Sequence, residues 1–159
     1  MKSDNNLNNV LRDDGVPLVL KGSMVENWPG TNLKQLRTYV GEFKSWAARV
    51  ALNENFGAVV ICQLPGEGNR PHYHPDADEI WVILEGAAEY EIECANGNMM
   101  RVIAQTGDII VITKGQKHRI TAIGTGPAVR LAITKPNVEY VYCSDPTDMA
   151  GADARDARG

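Results

Sequence analysis

The chain has 159 residues and a formal net charge of −4 at pH 7, which is the size of one domain with a substantial core. An acidic chain lacks the dense basic surface that nucleic-acid binding needs, so we expect a small-molecule partner and no nucleic acid. Its apolar stretches fall far short of the roughly 20 residues that cross a bilayer, and the polar N-terminus does not read as a secretory signal. Cys62, Cys94 and Cys143 have no paired spacing, which favours a reducing compartment. We therefore expect a cytoplasmic protein with no membrane contact.

The two ends of the chain differ in composition from its middle. Residues 1–14 are rich in Asn and Asp, and residues 145–159 are mostly Asp, Ala, Arg and Gly. Segments with so little to bury are predicted to be flexible, which leaves residues 15–144 as a single domain.

The predicted elements of this domain follow in chain order. A short N-terminal helical segment is expected at residues 32–37, with Thr31 or Asn32 as its N-cap. After it come short segments rich in β-branched and aromatic residues, separated by turns that contain glycine. These predicted strands cover residues 46–52, 58–64, 79–84, 88–94, 99–104, 108–113, 118–123, 128–134 and 138–143. No helix is long enough for a parallel crossover, so the pattern predicts an all-β sandwich or barrel.

Histidine is confined to two segments of the chain. His72 and His74 lie two residues apart, so on an extended strand both imidazoles face the same side. Glu79 joins that side only if residues 75–78 form a turn or bulge that resets the alternation. His118 must come from a distant strand. Three imidazoles and one carboxylate suit one divalent first-row metal and leave about two octahedral positions open, which is typical of a reactive site.

The spacing of these residues resembles that of the cupin superfamily. The first family motif is Gly, five residues, His-x-His, three or four residues, Glu, six residues and Gly, and it is matched at Gly66, His72, His74, Glu79 and Gly86. The second motif is matched at Gly107, Gly115 and His118, but Thr113 replaces its proline and Ala122 its asparagine. Neither replaced residue is a metal ligand in the family. The resemblance implies a small double-stranded β-helix, a jelly-roll barrel that holds one metal ion and often dimerises.

The resemblance implies a function class but not a substrate. We expect a metal-dependent enzyme that acts on a small polar or anionic metabolite, in the first place an oxidoreductase of the non-haem iron oxygenase type. Fe(II) is the favoured metal, with Mn, Ni or Zn as alternatives, because the ligand types alone do not separate them. An isomerase, epimerase or lyase that uses the metal as a Lewis acid is the first alternative function. A non-catalytic cupin that binds a small ligand is the second.

Strand alternation predicts which side chains line the pocket. If Glu79 faces inward, Trp81 follows it and becomes a candidate substrate-binding residue. Tyr90 is either a catalytic acid or base or a packed core residue. The acidic side chains that alternate with Tyr90 are expected to be solvated; they are Glu89, Glu91 and Glu93.

Two arginines interrupt apolar strands. Inside the barrel, Arg49 or Arg130 would bind a substrate carboxylate or phosphate through two hydrogen bonds. On the outer face each would be only a solvated charge. We favour the solvated position for both and keep both as substrate-binding candidates.

Other polar residues have two interpretations each. Asp76 and Asp78 are expected in a turn, where either could hydrogen-bond a ligand imidazole. Cys94 is either a functional thiol near the metal or a small buried side chain. Residues 17–20 could form an edge strand that pairs across a homodimer.

Overall fold

The computed structural model describes Asn27, residues 29–143 and the backbone of Asp153–Ala154. The proposed flexible end at residues 1–14 and the edge strand at 17–20 lie outside the described residues. So does most of the tail at 145–159, of which only the backbone of Asp153–Ala154 is described, paired with a strand of the domain. The expected homodimer stays a prediction. No helix in the described part of the chain is long and apolar enough to cross a membrane.

One helix precedes the strands in the described residues. It is α1 (Leu33–Val40), which begins at Asn32 and ends at Gly41. Asn32 and Gln35 exchange hydrogen bonds between side chain and backbone, and this capping box satisfies two free N–H groups of the first turn. The helix is therefore where the sequence predicts it, but it continues to Val40 because Val40 is buried.

The strands are short. They are β1 (Trp46–Leu52), β2 (Gly57–Gln63), β3 (His72–Tyr73), β4 (Glu79–Glu85), β5 (Ala87–Glu93), β6 (Met99–Gln105), β7 (Ile109–Ile112), β8 (His118–Ile123), β9 (Ala128–Thr134), β10 (Val141–Tyr142) and β11 (Asp153–Ala154). Three of them, β1, β8 and β9, have the predicted bounds. The strand predicted at 138–143 is reduced to β10, because Asn137 adopts a left-handed φ of 54° and the next residues turn toward the barrel interior.

Two sheets face each other across the core. One has five strands in the order β1-β2-β9-β4-β7, and the other has six in the order β10-β3-β8-β5-β6-β11. Every pairing in the described residues is antiparallel except that of β11 with β6. The all-β prediction is confirmed.

The five-stranded sheet is covered on both faces over part of its width. Its inner face packs around Trp81 in the main core. Its outer face is covered by α1, where Leu36 and Val40 contact Trp46 and Val60. Burial of each of these two helix side chains stabilises the fold by about 1.5–3 kcal/mol. As a result, β1, β2 and β9 carry apolar residues on both sides.

The loop before β3 lies directly against β8. The Asn69 amide donates a hydrogen bond of 3.0 Å to the Ile120 carbonyl, and Gly68 forms an isolated bridge with Thr121. A Cβ at Gly68 would lie 2.0 Å from the Ile120 oxygen, so only glycine fits there. Close approach of this loop fixes β3 beside β8.

Replacement of this glycine should therefore destabilise the protein. Gly68→Ala is expected to lower the free energy of unfolding by about 1–3 kcal/mol, because two backbone segments must move apart. Gly126→Ala is the control, since its Cβ would meet nothing within 4 Å and its φ is not in the left-handed region. The control should stay within about 0.5 kcal/mol of the wild type in urea unfolding. Equal stability of the two variants would contradict this account of the loop.

Candidate metal centre

Four buried side chains converge between the two sheets. His72, His74, Glu79 and His118 each offer one ligand atom, and these atoms all lie within 4.8 Å of one another. Metal bonds to nitrogen or oxygen are about 2.1 Å long, so opposite ligands of one ion lie about 4.2 Å apart. The cluster therefore has the size that one first-row metal ion requires. All four residues predicted from the sequence are brought together.

Each ligand comes from the start or end of a strand. His72 lies in β3 and pairs directly with His118 in β8, so their rings are neighbours, with centroids 4.3 Å apart. Glu79 begins β4 in the opposite sheet and is 6 % exposed. Glu79 faces inward together with Trp81. This is the orientation expected if residues 75–78 reset the alternation of inward and outward side chains. The site thus lies where the two sheets meet.

Backbone carbonyls orient all three imidazoles. His72 Nδ1 is 2.6 Å from the Arg70 carbonyl oxygen, His74 Nδ1 is 2.9 Å from that of Glu139, and His118 Nδ1 is 2.9 Å from that of Gln116. A carbonyl can only accept, so each Nδ1 carries a proton, and in the neutral form of each ring Nε2 then keeps a lone pair for a metal.

The Nε2 atom of His118 is buried and makes no well-aligned hydrogen bond among the described residues, and its near neighbour is Glu79 Oε2 at 3.4 Å. A metal ion between these two ligand atoms would satisfy both. The four residues therefore fit a divalent metal ion. Neither Asp76 nor Asp78, which were possible imidazole partners, hydrogen-bonds a ligand ring directly.

Burial and charge within the cluster shift the pKa values of Glu79, His74 and His72. Burial alone would raise the pKa of Glu79, but hydrogen bonds and charge interactions with His118 and His74 outweigh burial and lower it. Burial alone would lower the pKa of His74, but its Nε2 lies 3.3 Å from Glu79 Oε2, and this contact raises the pKa. Burial lowers the pKa of His72 to about 3, so this ring is neutral. A carboxylate and a neutral imidazole are the forms that bind metal.

A cavity of about 140 Å³ adjoins the cluster, and His72 and Glu79 form part of its wall. Its polar lining is mostly cationic or amide, in contrast to the apolar core around it. The polar and aromatic residues of the wall include Arg49, Asn69, Trp81, Arg130, Lys135, Asn137 and Tyr140.

The expected solvated position of Arg130 is wrong. This side chain is only 2 % exposed, and it lines the cavity. Its Nη2 donates a 2.9 Å hydrogen bond to Asn69 Oδ1, and its Nη1 donates to Gln63 Oε1. In the sheet it pairs with Ile83, which faces the core. Arg130 is therefore an interior charge.

The second arginine is also not simply solvated. Arg49 is half-buried and lines the same cavity. Trp81 is buried, lines the cavity, and has its ring centroid 5.4 Å from that of His118. The substrate-binding role of these residues stays a prediction.

Tyr90 does not reach the cavity. It is fully buried and packs on Trp81 with the ring centroids 4.8 Å apart, and burial raises its pKa. This position fits the packed-core interpretation, and its catalytic role has no support from the cavity wall. Cys94 is half-buried at the end of β5 and also does not line the cavity.

The expected solvation of Glu91 is wrong as well. Glu91 is 3 % exposed and forms ion pairs with Arg101, at 3.2 Å, and with Arg119. These arginines are its direct neighbours across β6 and β8. Glu89 and Glu93 are half-buried.

Tyr140 is the residue that the sequence pattern missed. It lines the cavity, and its ring centroid lies 4.6 Å from that of His74 and 5.4 Å from that of His72. Burial raises the pKa of Tyr140, so its hydroxyl stays protonated. In the sequence, the only indication of this position was that Tyr140 lies within the strand-like segment 138–143.

Comparisons with known proteins agree with the fold. A cupin domain family profile matches residues 59–134. An acireductone dioxygenase of Leishmania infantum is 34% identical over 67 residues, which is 42% of this chain and 19% of that protein. The tetracenomycin polyketide synthase protein TcmJ of Streptomyces glaucescens is 34% identical over 64 residues, 40% of each chain. The chain thus spans well under half the length of these two relatives.

Solved structures share the architecture. A Klebsiella pneumoniae protein with a double-stranded β-helix domain superposes with a TM-score of 0.54 and 24% identity, over 66% of this chain and 89% of that one. The fold is therefore a double-stranded β-helix whose interior could hold a metal ion. Residues 59–134 therefore match a cupin domain, on the fold that this domain shares with the solved structure.

The metal-free protein should lose stability as the pH falls below about 6.5. His72 stays neutral in the folded state down to about pH 3, whereas in the unfolded chain the same side chain binds a proton near pH 6.5. The unfolded state then binds more protons, so the free energy of unfolding decreases by up to about 1.4 kcal/mol per pH unit. His74 has the opposite pH dependence. Its raised pKa stabilises the folded state fully below about pH 6.5, and this stabilisation is lost as the pH rises through the folded-state pKa.

Urea unfolding in a chelating buffer, at several pH values between about 6.5 and 5, measures this slope. The variant His72→Asn has no titrating group at this position and should show a shallower slope. An unchanged slope in the variant would contradict the assignment of the effect to His72.

Proposed function

We propose that the protein is a metal-dependent enzyme acting on a small anionic metabolite, and that it is a non-haem iron oxygenase. One observation carries the proposal: a three-histidine, one-carboxylate cluster opens onto a cavity that contains a buried arginine. The dioxygenase named among the relatives supports the oxygenase class.

His72, His74, Glu79 and His118 would hold the ion. Four protein ligands leave about two of six octahedral positions for substrate and oxygen. When bound, iron(II) would supply the electrons and the binding positions that oxygen chemistry requires. The protein supplies the rest: carbonyl-oriented rings that keep the ligands in place, and apolar walls that limit access of water.

Arg130 would bind the anionic group of the substrate. Its guanidinium donates to the amide oxygens of Asn69 and Gln63 and lies 5.5 Å from the centre of the Trp81 ring. These contacts fix the plane of the guanidinium in the cavity wall. In this low-dielectric surrounding a substrate carboxylate would be attracted far more strongly than on the surface.

Tyr140 favours a second candidate function, an isomerase, epimerase or lyase. Its protonated hydroxyl belongs to a side chain in the cavity wall next to two ligand rings. It could give a proton to a substrate whose carbonyl or hydroxyl is polarised by the metal. Full turnover without oxygen, with Mn or Zn in place of iron, would favour this function over the oxygenase.

Metal content and oxygen uptake test the leading proposal. Protein purified without chelator or affinity nickel should contain close to one iron per chain, and His74→Ala should contain little. After anaerobic reconstitution with Fe(II), the wild type should consume oxygen only when a suitable small acid is present. Tyr73→Phe is the matched control, because Tyr73 lies between His72 and His74 but is not part of the cluster. Iron binding without oxygen uptake for any acid in a broad panel would contradict the oxygenase assignment.

Substrate binding should depend on Arg130. Lysine keeps the positive charge but loses the two-point hydrogen bonding of the guanidinium. Loss of one hydrogen bond to a charged group costs about 1.5–3 kcal/mol, so Arg130→Lys should raise KM for an acidic substrate by about 10–100-fold. The metal content should stay unchanged. Arg37→Gln is the control: this arginine binds Glu85 through two 2.8 Å hydrogen bonds and is exposed. A KM that is the same in both variants would exclude Arg130 as the anion-binding residue.

A further inference from the structure

The turn between His74 and Glu79 contains two aspartates that touch neither the cluster nor the cavity. We propose that Asp76 and Asp78 are positioning residues: each fixes the segment whose backbone carbonyl orients one ligand histidine, Asp76 for His74 and Asp78 for His118. The role of this orientation in metal binding rests on the proposed function.

Asp76 holds the segment that follows β9. One carboxylate oxygen forms an ion pair with Lys135, and the other accepts a 3.4 Å hydrogen bond from the Glu139 amide. The carboxylate thus binds both ends of residues 135–139, which include the left-handed Asn137. The carbonyl of Glu139 accepts the Nδ1 proton of His74 at 2.9 Å. Asp76 therefore fixes the acceptor that sets the orientation of His74.

Asp78 does the same for the turn before β8. Its Oδ1 accepts a 2.7 Å hydrogen bond from the Lys114 amide. The turn that follows is closed by a hydrogen bond from the Gln116 amide to the Thr113 carbonyl, at 3.0 Å. The carbonyl of Gln116 accepts the Nδ1 proton of His118 at 2.9 Å. Asp78 therefore fixes the acceptor that sets the orientation of His118.

A carbonyl that moves cannot hold an imidazole in one tautomer. If the acceptor is lost, the ring can carry its proton on Nε2 or rotate, and the lone pair no longer points at the other ligands. Partners that orient a ligand in this way typically change metal affinity 10–100-fold when they are removed. The two aspartates should act separately, because they hold different segments.

The tautomers can be measured without any metal. Long-range ¹H–¹⁵N NMR spectra of the metal-free protein, in mildly alkaline buffer, show which ring nitrogen carries the proton. In the wild type His74 and His118 should be protonated at Nδ1. Asp76→Ala should change the pattern of His74 alone, and Asp78→Ala that of His118 alone. Asp78→Asn keeps an oxygen that can accept from the Lys114 amide and should restore the wild-type pattern.

Metal affinity provides the second measurement. Titration with Mn²⁺, followed by the EPR signal of the free ion, should give a Kd about 10–100-fold higher for both alanine variants than for the wild type. Asp108→Ala is the matched control, since Asp108 is also exposed and caps a turn by accepting a 2.7 Å hydrogen bond from the Gln105 amide. This control should lose a similar turn contact and keep both tautomers and the wild-type Kd.

Unchanged tautomers of both histidines in both alanine variants would overturn the positioning role. Loss of both patterns in either variant would also overturn it, because the change would then be general and not specific to one segment. A wild type with the expected tautomers that binds no Mn²⁺ or Fe²⁺ would contradict the proposed function, while the NMR patterns of the variants would still decide the role of Asp76 and Asp78.

Discussion

The site depends on one hydrogen bond repeated three times, from Nδ1 of a histidine to a backbone carbonyl. In His72 and His118 the acceptor lies two residues earlier in the chain, so the strand that carries the ring also orients it. In His74 the acceptor is 65 residues away, in Glu139. Two rings are therefore oriented by local structure, and the third requires the chain to return after β9. An imidazole has only two nitrogens, so fixing one of them decides where the other points.

Charge in the interior is the second constraint, and the fold meets it in two ways. The Glu79 carboxylate is stabilised by hydrogen bonds and charge interactions with His118 and His74, which lower its pKa. The Arg130 guanidinium is held by neutral amide oxygens and lies over an aromatic ring. Both arrangements reduce the large free-energy penalty of burying a charge, and neither requires an ion pair between Glu79 and Arg130. The cavity wall therefore contains a carboxylate at the cluster and a cation elsewhere, which can orient a polar molecule between them.

The fold and the four ligands could be predicted because their signals are local. The two-residue alternation of β8 places His118 with Ile120 and Ala122, all buried, and the spacing of His72, His74 and Glu79 needs only one turn. Arg130 could not be placed in the same way. β9 is apolar on both faces, because α1 covers its outer side, so alternation within the strand does not show which face is the interior. Its pairing with Ile61 and Ile83, which both face the core, decides this, and neither pairing is visible in the sequence of a single strand.

The same reasoning explains why Tyr140, next to the ligand rings, was missed. Tyr140 belongs to a segment that resembles a strand in composition, yet its position follows from the left-handed turn at Asn137 and the clasp of Lys135 by Asp76. The turn at Asn137 is local, but the ion pair joins two residues that are distant in sequence. The ligand set, encoded by short spacings, can support several metals and several reactions. Under the proposed function, selection among substrates would then come from Arg130 and Tyr140, the parts of the cavity that depend on how the chain returns to the cluster.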